Sequence, residues 1–292
     1  MPRALAVFGA ILFSFLGVST ALAVPSDEIS RAEGLYQKTE YRQVIQLLEP
    51  NSGIEAAAYE LIGKSYFMLE DFKRATQALE KAAAMDPNNS NYFDWLGKVY
   101  GKRAETSNFM TAWSYAGKCR NNFERAIELD GRNLEAIDDL FEFDLNAPSF
   151  IGGGIDKAAA ISERVRDLNQ EKYHGLQARL AEKQKDFSRQ EKHLRLALDA
   201  APPSSVGRVL DLAQFLAKQG RFDESEAMFE RAKKIAPQSA ELKFKRAKTY
   251  LQSGRNRQEA RKLLQQYLES SLTPDDPPRS EAERLLKEAA SG

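Results

Sequence analysis

Residues 56–89 run AAAYELIGKSYFMLEDFKRATQALEKAAAMDPNN, and this stretch decides the fold. Counted from Ala56, Tyr59, Ile62, Gly63 and Tyr66 fall at positions 4, 7, 8 and 11, which is one stripe of an α-helix. Ala75, Leu79 and Ala82 fall at positions 20, 24 and 27 and make a second stripe on the helix that follows. Gly63 and Ala75 carry almost no side chain, so the two helices can approach closely there, while Tyr59, Tyr66 and Leu79 fill the space around them. Pro87 stops the second helix, because proline lacks the N–H and biases Asp86 away from helical angles. Asn89 or Ser90 is placed to cap the next helix. A two-helix unit of this kind cannot bury its apolar face alone and must stack with copies of itself.

Carrying the period outward gives hairpins of unequal regularity. Residues 26–55 hold a shortened first unit with Ala32, Tyr41, Val44 and Leu48, ended by Pro50-Asn51-Ser52-Gly53. The unit from Ser90 has Phe93, Leu96, Gly97 and Tyr100, then Cys119, Phe123 and Ala126, with its two helices set further apart than the period requires. From Leu134 come Ile137, Leu140 and Phe141, then Ala158, Ser162 and Val165, again with extra residues between. The unit from Glu171 is weaker on its first helix. Those from Val206 and Ala240 are regular, with Ala213, Ala232 and Pro237 at the diagnostic positions of the former. An amphipathic segment at 278–290, with Ala282, Leu285, Leu286 and Ala289 on one face, is suited to closing the end of the stack. The expected architecture is all-α: a right-handed solenoid of about seven hairpins with a C-terminal capping helix, interrupted by insertions near 101–118 and 145–154.

The first 23 residues differ in kind. Arg3, an apolar run from Ala4 to Val18 and the exit Ala21-Leu22-Ala23 have the order of a secretory signal peptide. Cleavage is expected after Ala23, leaving 24–292 as an exported solenoid without a membrane span, in the periplasm or outside the cell. The rival is an uncleaved anchor helix, since the run approaches the ~20 residues that cross a bilayer. Lys plus Arg and Asp plus Glu are equal at 42 each, so no global field draws nucleic acid or an acidic membrane. Cys119 is the single cysteine, so no internal disulfide can form, and it stands where a hairpin wants a small buried residue.

The pattern resembles the tetratricopeptide repeat, over roughly residues 26–290. The long second full unit, with Leu96-Gly97-Lys98-Val99-Tyr100 and Phe123-Glu124-Arg125-Ala126, the loop Ala147-Pro148 with three glycines, and Leu272-Thr273-Pro274-Asp275-Asp276 look like a group of exported bacterial members. No activity carries over from that group. What the wider family implies is protein–protein scaffolding, with a peptide or helix held in a concave face.

Departures from the period are the candidate sites. Phe109, Met110, Trp113 and Tyr115 crowd the insertion after Tyr100, either on a prolonged, projecting hairpin or on a segment folded over the groove. Lys64, Asn91, Lys98 and Lys102 fall at groove positions and are the candidate polar contacts, either as a basic pocket or as solvated side chains. Gly152-Gly153-Gly154 precedes a helix, but no strand comes before it and no Gly-Lys-Ser/Thr follows, so a wide turn is expected rather than a phosphate loop. His174 and His193 are the only histidines and lack Cys or carboxylate partners at ligand spacing. No nucleophile signature is present. The expected function is a non-catalytic scaffold without cofactor or metal, binding a protein or peptide partner. The alternative is a module for a peptide or cell-wall fragment, with the aromatic insertion as a lid.

Overall fold

The computed structural model describes residues 26–50 and 55–290. The apolar N-terminal segment and the cleavage expected after Ala23 lie outside the described residues. Among the described residues there are fifteen α-helices: α1 (Ser26–Gln37), α2 (Tyr41–Leu48), α3 (Ala56–Met68), α4 (Phe72–Met85), α5 (Ser90–Glu105), α6 (Phe109–Leu129), α7 (Leu134–Asn146) and α8 (Ile155–Glu163). They continue as α9 (Gln170–Lys183), α10 (Phe187–Ala200), α11 (Val206–Lys218), α12 (Phe222–Ile235), α13 (Ala240–Gln252), α14 (Arg257–Leu268) and α15 (Arg279–Ala290). A short 3-10 helix, Ser149–Ile151, lies between α7 and α8. Each odd helix up to α13 packs on the helix after it, making seven hairpins, and α15 packs on α14.

The spacing of small residues sets how the helices meet. A Cβ on Gly63 would come within 2.6 Å of Leu79 Cγ, and one on Gly97 would overlap the Phe123 ring. Ala75, Ala82, Ala126, Ala213 and Ala232 are fully buried at the matching crossings. Tyr66 is buried and Tyr59 half-buried beside them. Pro87 and Pro237 follow the ends of α4 and α12, and Asn89 caps α5 by accepting from the Asn91 N–H at 3.1 Å.

Five hairpins turn in the same way. Thr39, Glu70, Lys185, Gly220 and Gly254 stand at positive φ just past the first helix, and in each case the next residue's N–H donates back to a carbonyl five residues earlier. A β-carbon is disfavoured at this left-handed position, where helices prefer glycine. Glu70→Gly is therefore expected to stabilise the chain by about 0.5–1 kcal/mol in urea unfolding. A loss of stability would mean that the Glu70 side chain contributes more than its backbone conformation costs.

Odd helices also touch odd helices: α1–α3, α3–α5, α5–α7, α7–α9, α11–α13 and α13–α15. Among the described residues no two even helices touch. The closer approach on one side bends the stack and makes the odd helices its concave face. At the remaining step, ion pairs from Arg208 to Glu171 (2.8 Å) and from Lys218 to Glu182 (2.9 Å) join α9 and α11. Burial raises the Tyr41 phenol to about 12, and the Asp275 carboxylate adds to that shift.

Candidate functional site

A row of opposite charges runs along the concave face. Lys98 of α5 reaches Asp139 of α7 at 3.2 Å, and Asp138 of α7 meets Lys172 (3.2 Å) and Arg179 (2.8 Å) of α9. Arg179 also pairs with Glu142. Beyond the α9–α11 pairs, Lys245 of α13 meets Asp211 at 3.2 Å, and Lys248 meets Glu281 of α15 at 2.9 Å. Apart from Lys98, which also holds the buried Asp94, half-exposed pairs of this kind add little stability each, so their main effect is to fix the pattern of sign that a partner meets.

The N-terminal part of this face is aromatic as well as charged. Trp95 of α5 is half-buried with Lys64 Nζ 5.0 Å and Lys98 Nζ 4.7 Å from its ring, and Lys64 also lies 5.3 Å from the Tyr36 ring. Lys64 pairs with Glu60 at 3.5 Å. Lys98 is not a free cation either: Asp94 is at 2.8 Å, Asp139 at 3.2 Å and Glu135 at 3.6 Å. The basic pocket considered for these lysines is thus compensated charge by charge. Trp95 lies off the groove positions that the spacing marks and is recognisable only once Lys64 and Lys98 are seen on either side of it.

Asp94 and Asp139 share this small volume. Asp94 is 1% exposed, and its Oδ1 has no hydrogen-bond partner. Burial raises both carboxyls against the pull of Lys98, and it brings Asp139 to about 7 with repulsion from Asp94 added. For Lys98, burial works downward and is outweighed by Asp94 and Asp139, so the ammonium is held above its ordinary value. The Asp139 shift means that the folded chain holds a proton that the unfolded chain releases near pH ~4. That contribution to stability is complete below the unfolded value and is lost as pH rises through about 7. Asp139→Asn, which cannot ionise, is expected to gain on the parent by about 2 kcal/mol between pH ~5 and pH ~8 in urea unfolding. An equal difference at both pH values would sink the assignment.

The other candidates lie elsewhere. Asn91 accepts from Asn133 Nδ2 at 3.2 Å and so ties two helix starts together. Lys102 pairs with Glu105 at 2.8 Å on the exposed end of α5. The insertion at 101–118 prolongs α5 and α6 instead of crossing the groove, which removes the geometry of a lid. Within it, Tyr115 stacks on Tyr100 at 5.9 Å between ring centres and bonds to Arg103, so it holds the hairpin together. Phe109, Met110 and Trp113 point outward, with Phe150 set 6.0 Å from Trp113.

The glycine loop is a tight return. Gly152 and Gly154 have φ of 105° and 147°, the Gly154 N–H donates to the Asp144 carbonyl at 2.7 Å, and Lys157 Nζ donates to the Gly152 carbonyl at 2.6 Å. Cys119 is buried, which pushes its thiol up to about 12, well above the range of a reactive thiolate. The α9–α10 hairpin brings His174 and His193 together, Nδ1 to Nδ1 at 3.1 Å, a meeting their separation in sequence does not announce. Among the described residues no group of three His, Cys, Asp or Glu side chains is placed to hold a metal, and no helix is long and apolar enough to cross a membrane.

Stacked antiparallel hairpins with a continuous polar face define a helical-repeat solenoid. Two family models match the chain, both described as tetratricopeptide repeat, over residues 56–89 and 216–278. A tetratricopeptide repeat protein from Parabacteroides merdae is similar over 91% of this chain and 98% of its own, at 13% identity and a TM-score of 0.59. The human IFIT1 dimer with PPP-AAAA is similar over 83% of this chain and 54% of its own, at 16% identity and a TM-score of 0.52. The type IV pilus biogenesis factor PilW is similar over 81% and 98%, at 15% identity and a TM-score of 0.50. No curated protein matches. The chain is a tetratricopeptide repeat protein.

Proposed function

We propose that this protein is a non-catalytic scaffold of the cell envelope or secreted space, holding a peptide or helix of a partner protein in its concave face. The observation that carries this reading is the unbroken run of odd helices whose charged side chains answer one another from α5 to α15. A partner segment with alternating charge can exchange these pairs one at a time, while Trp95 offers an aromatic anchor between two ammonium groups. The exposed strip at the start of α6 supplies a second contact surface.

Affinity purification from an envelope extract tests the reading. The parent chain is expected to retain one protein at stoichiometric yield, and Lys64→Glu with Trp95→Ala to lose it at least about tenfold. Equal recovery by the parent and the groove variant would reject the concave face as the binding surface. Export carries its own check: the secreted or periplasmic protein is expected to begin at Val24, and recovery with Met1 in place would reject cleavage.

A further inference from the structure

The first turns of α6 carry an apolar strip that the chain leaves uncovered. Phe109 is 70% exposed, Met110 85%, Trp113 51% and Phe150 60%. With an aromatic side chain offering 150–250 Å², these exposures leave about 500 Å² of apolar surface in one place, near the upper end for a monomer. The cause is a mismatch in length. Helix α6 has 21 residues and α8 only nine, and α6 touches α5, α7 and the 3-10 helix but not α8. Its N-terminal turns therefore run past the outer helix of the next hairpin.

Gly117 lies in the same strip, one turn after Trp113. At about 100° per residue, Trp113, Gly117 and Met110 fall within about 60° of one another around the helix. Glycine weakens a helix relative to alanine, so a glycine in mid-helix calls for a reason. At Gly63 and Gly97 the reason is inside the chain, where Leu79 and Phe123 fill the space. At Gly117, apart from its chain neighbours and the backbone of its own helix, no atom of the chain lies within 4 Å of where a Cβ would be. The notch is open to the outside and has large apolar side chains beside it.

We propose that this strip is the interface of a homodimer, in which α6 of one copy crosses α6 of a second copy antiparallel about a two-fold axis at Trp113. On such an axis, positions equally far before and after Trp113 face each other across the interface. Phe109, four residues before, then enters the notch at Gly117, four residues after, and the second copy returns the same contact. The two strips together bury about 1,000 Å², the low end for a specific interface, so the dimer is weak and concentration-dependent. This assignment deepens the reading of the strip as a contact surface. It leaves the concave face free, so the two fail independently.

Sedimentation velocity on the full chain across about three decades of concentration is expected to show a monomer becoming a dimer. Gly117→Gln fills the notch with a better helix former, so it is expected to keep or raise the melting temperature while weakening the dimer at least about tenfold. Trp113→Ser is expected to weaken it comparably. Phe109→Cys mixed with Gly117→Cys is expected to cross-link on mild oxidation, whereas either variant alone does not. Cys119 is buried and does not compete. A chain that stays monomeric, or a dimer that both substitutions leave intact, would overturn the proposal. So would cross-linking of Phe109→Cys to itself in preference, or a monomer that buries Trp113 in phosphatidylcholine vesicles.

Discussion

Lys98→Met is expected to lower the unfolding free energy by about 3–5 kcal/mol at pH ~8, the largest loss of any single groove substitution. Asp94 is 1% exposed, and among the described residues Lys98 is the one cation at ion-pair distance from it, at 2.8 Å. Methionine keeps the volume of the stem but leaves Asp94 as a buried charge with Asp139 beside it. The loss should shrink toward pH ~5, because burial already raises both carboxyls and the pair then takes up protons. Adding Asp94→Asn should recover most of the stability, since an unpaired buried charge costs far more than a neutral amide. Lys218→Met offers the contrast: its pair with Glu182 is half-exposed on both sides, and the expected cost is under about 1 kcal/mol. Urea unfolding of the parent and the three variants at two pH values measures this. A loss below about 1 kcal/mol for Lys98→Met at pH ~8 would show that water reaches Asp94 and that the site is not dry.

Gly153→Ala is the second large effect, at about 2–3 kcal/mol. A Cβ there would overlap the Ala147 carbonyl oxygen and stand 2.7 Å from its carbon. Those atoms belong to the backbone at the end of α7, so no side chain can turn aside to make room. Gly97→Ala meets a different obstacle, the Phe123 ring, which can shift or be shortened. Phe123→Leu is therefore expected to rescue part of the Gly97→Ala loss, while no neighbouring truncation rescues Gly153→Ala. Thermal unfolding gives the loss. Hydrogen exchange should place it in α7 and α8 first, because each hairpin leans only on its neighbours. A neutral Gly153→Ala would mean that the loop has another path past Ala147.

The hairpins were legible because their causes are local. A stripe such as Tyr59, Ile62, Gly63 and Tyr66 acts within one helix, and Gly63 against Leu79 or Gly97 against Phe123 acts between two helices joined by a short turn. The repeated left-handed turn was harder to see, because Thr39, Glu70 and Lys185 stand where glycine is usual. The groove was not legible in its electrostatics. Lys64 and Lys98 stood at the right positions, but the spacing carried no sign that Asp139 and Glu135 of the next hairpin would neutralise Lys98. His174 and His193 likewise met only because α9 and α10 fold together.

The strip on α6 divides between the two levels. That Phe109, Met110 and Trp113 interrupt the period follows from residue order alone, as do the export signal expected at the N-terminus and the glycine loop at 152–154. That Tyr115 turns inward against Tyr100 while its three neighbours face solvent depends on how far α6 outruns α8. The helices, their pairing and the solenoid follow from residue order, because helical periodicity and small-residue contacts are settled within about 34 residues. The tertiary structure alone decided which charges are cancelled and which apolar groups remain uncovered, because both depend on the register between successive hairpins, and no single repeat encodes that register.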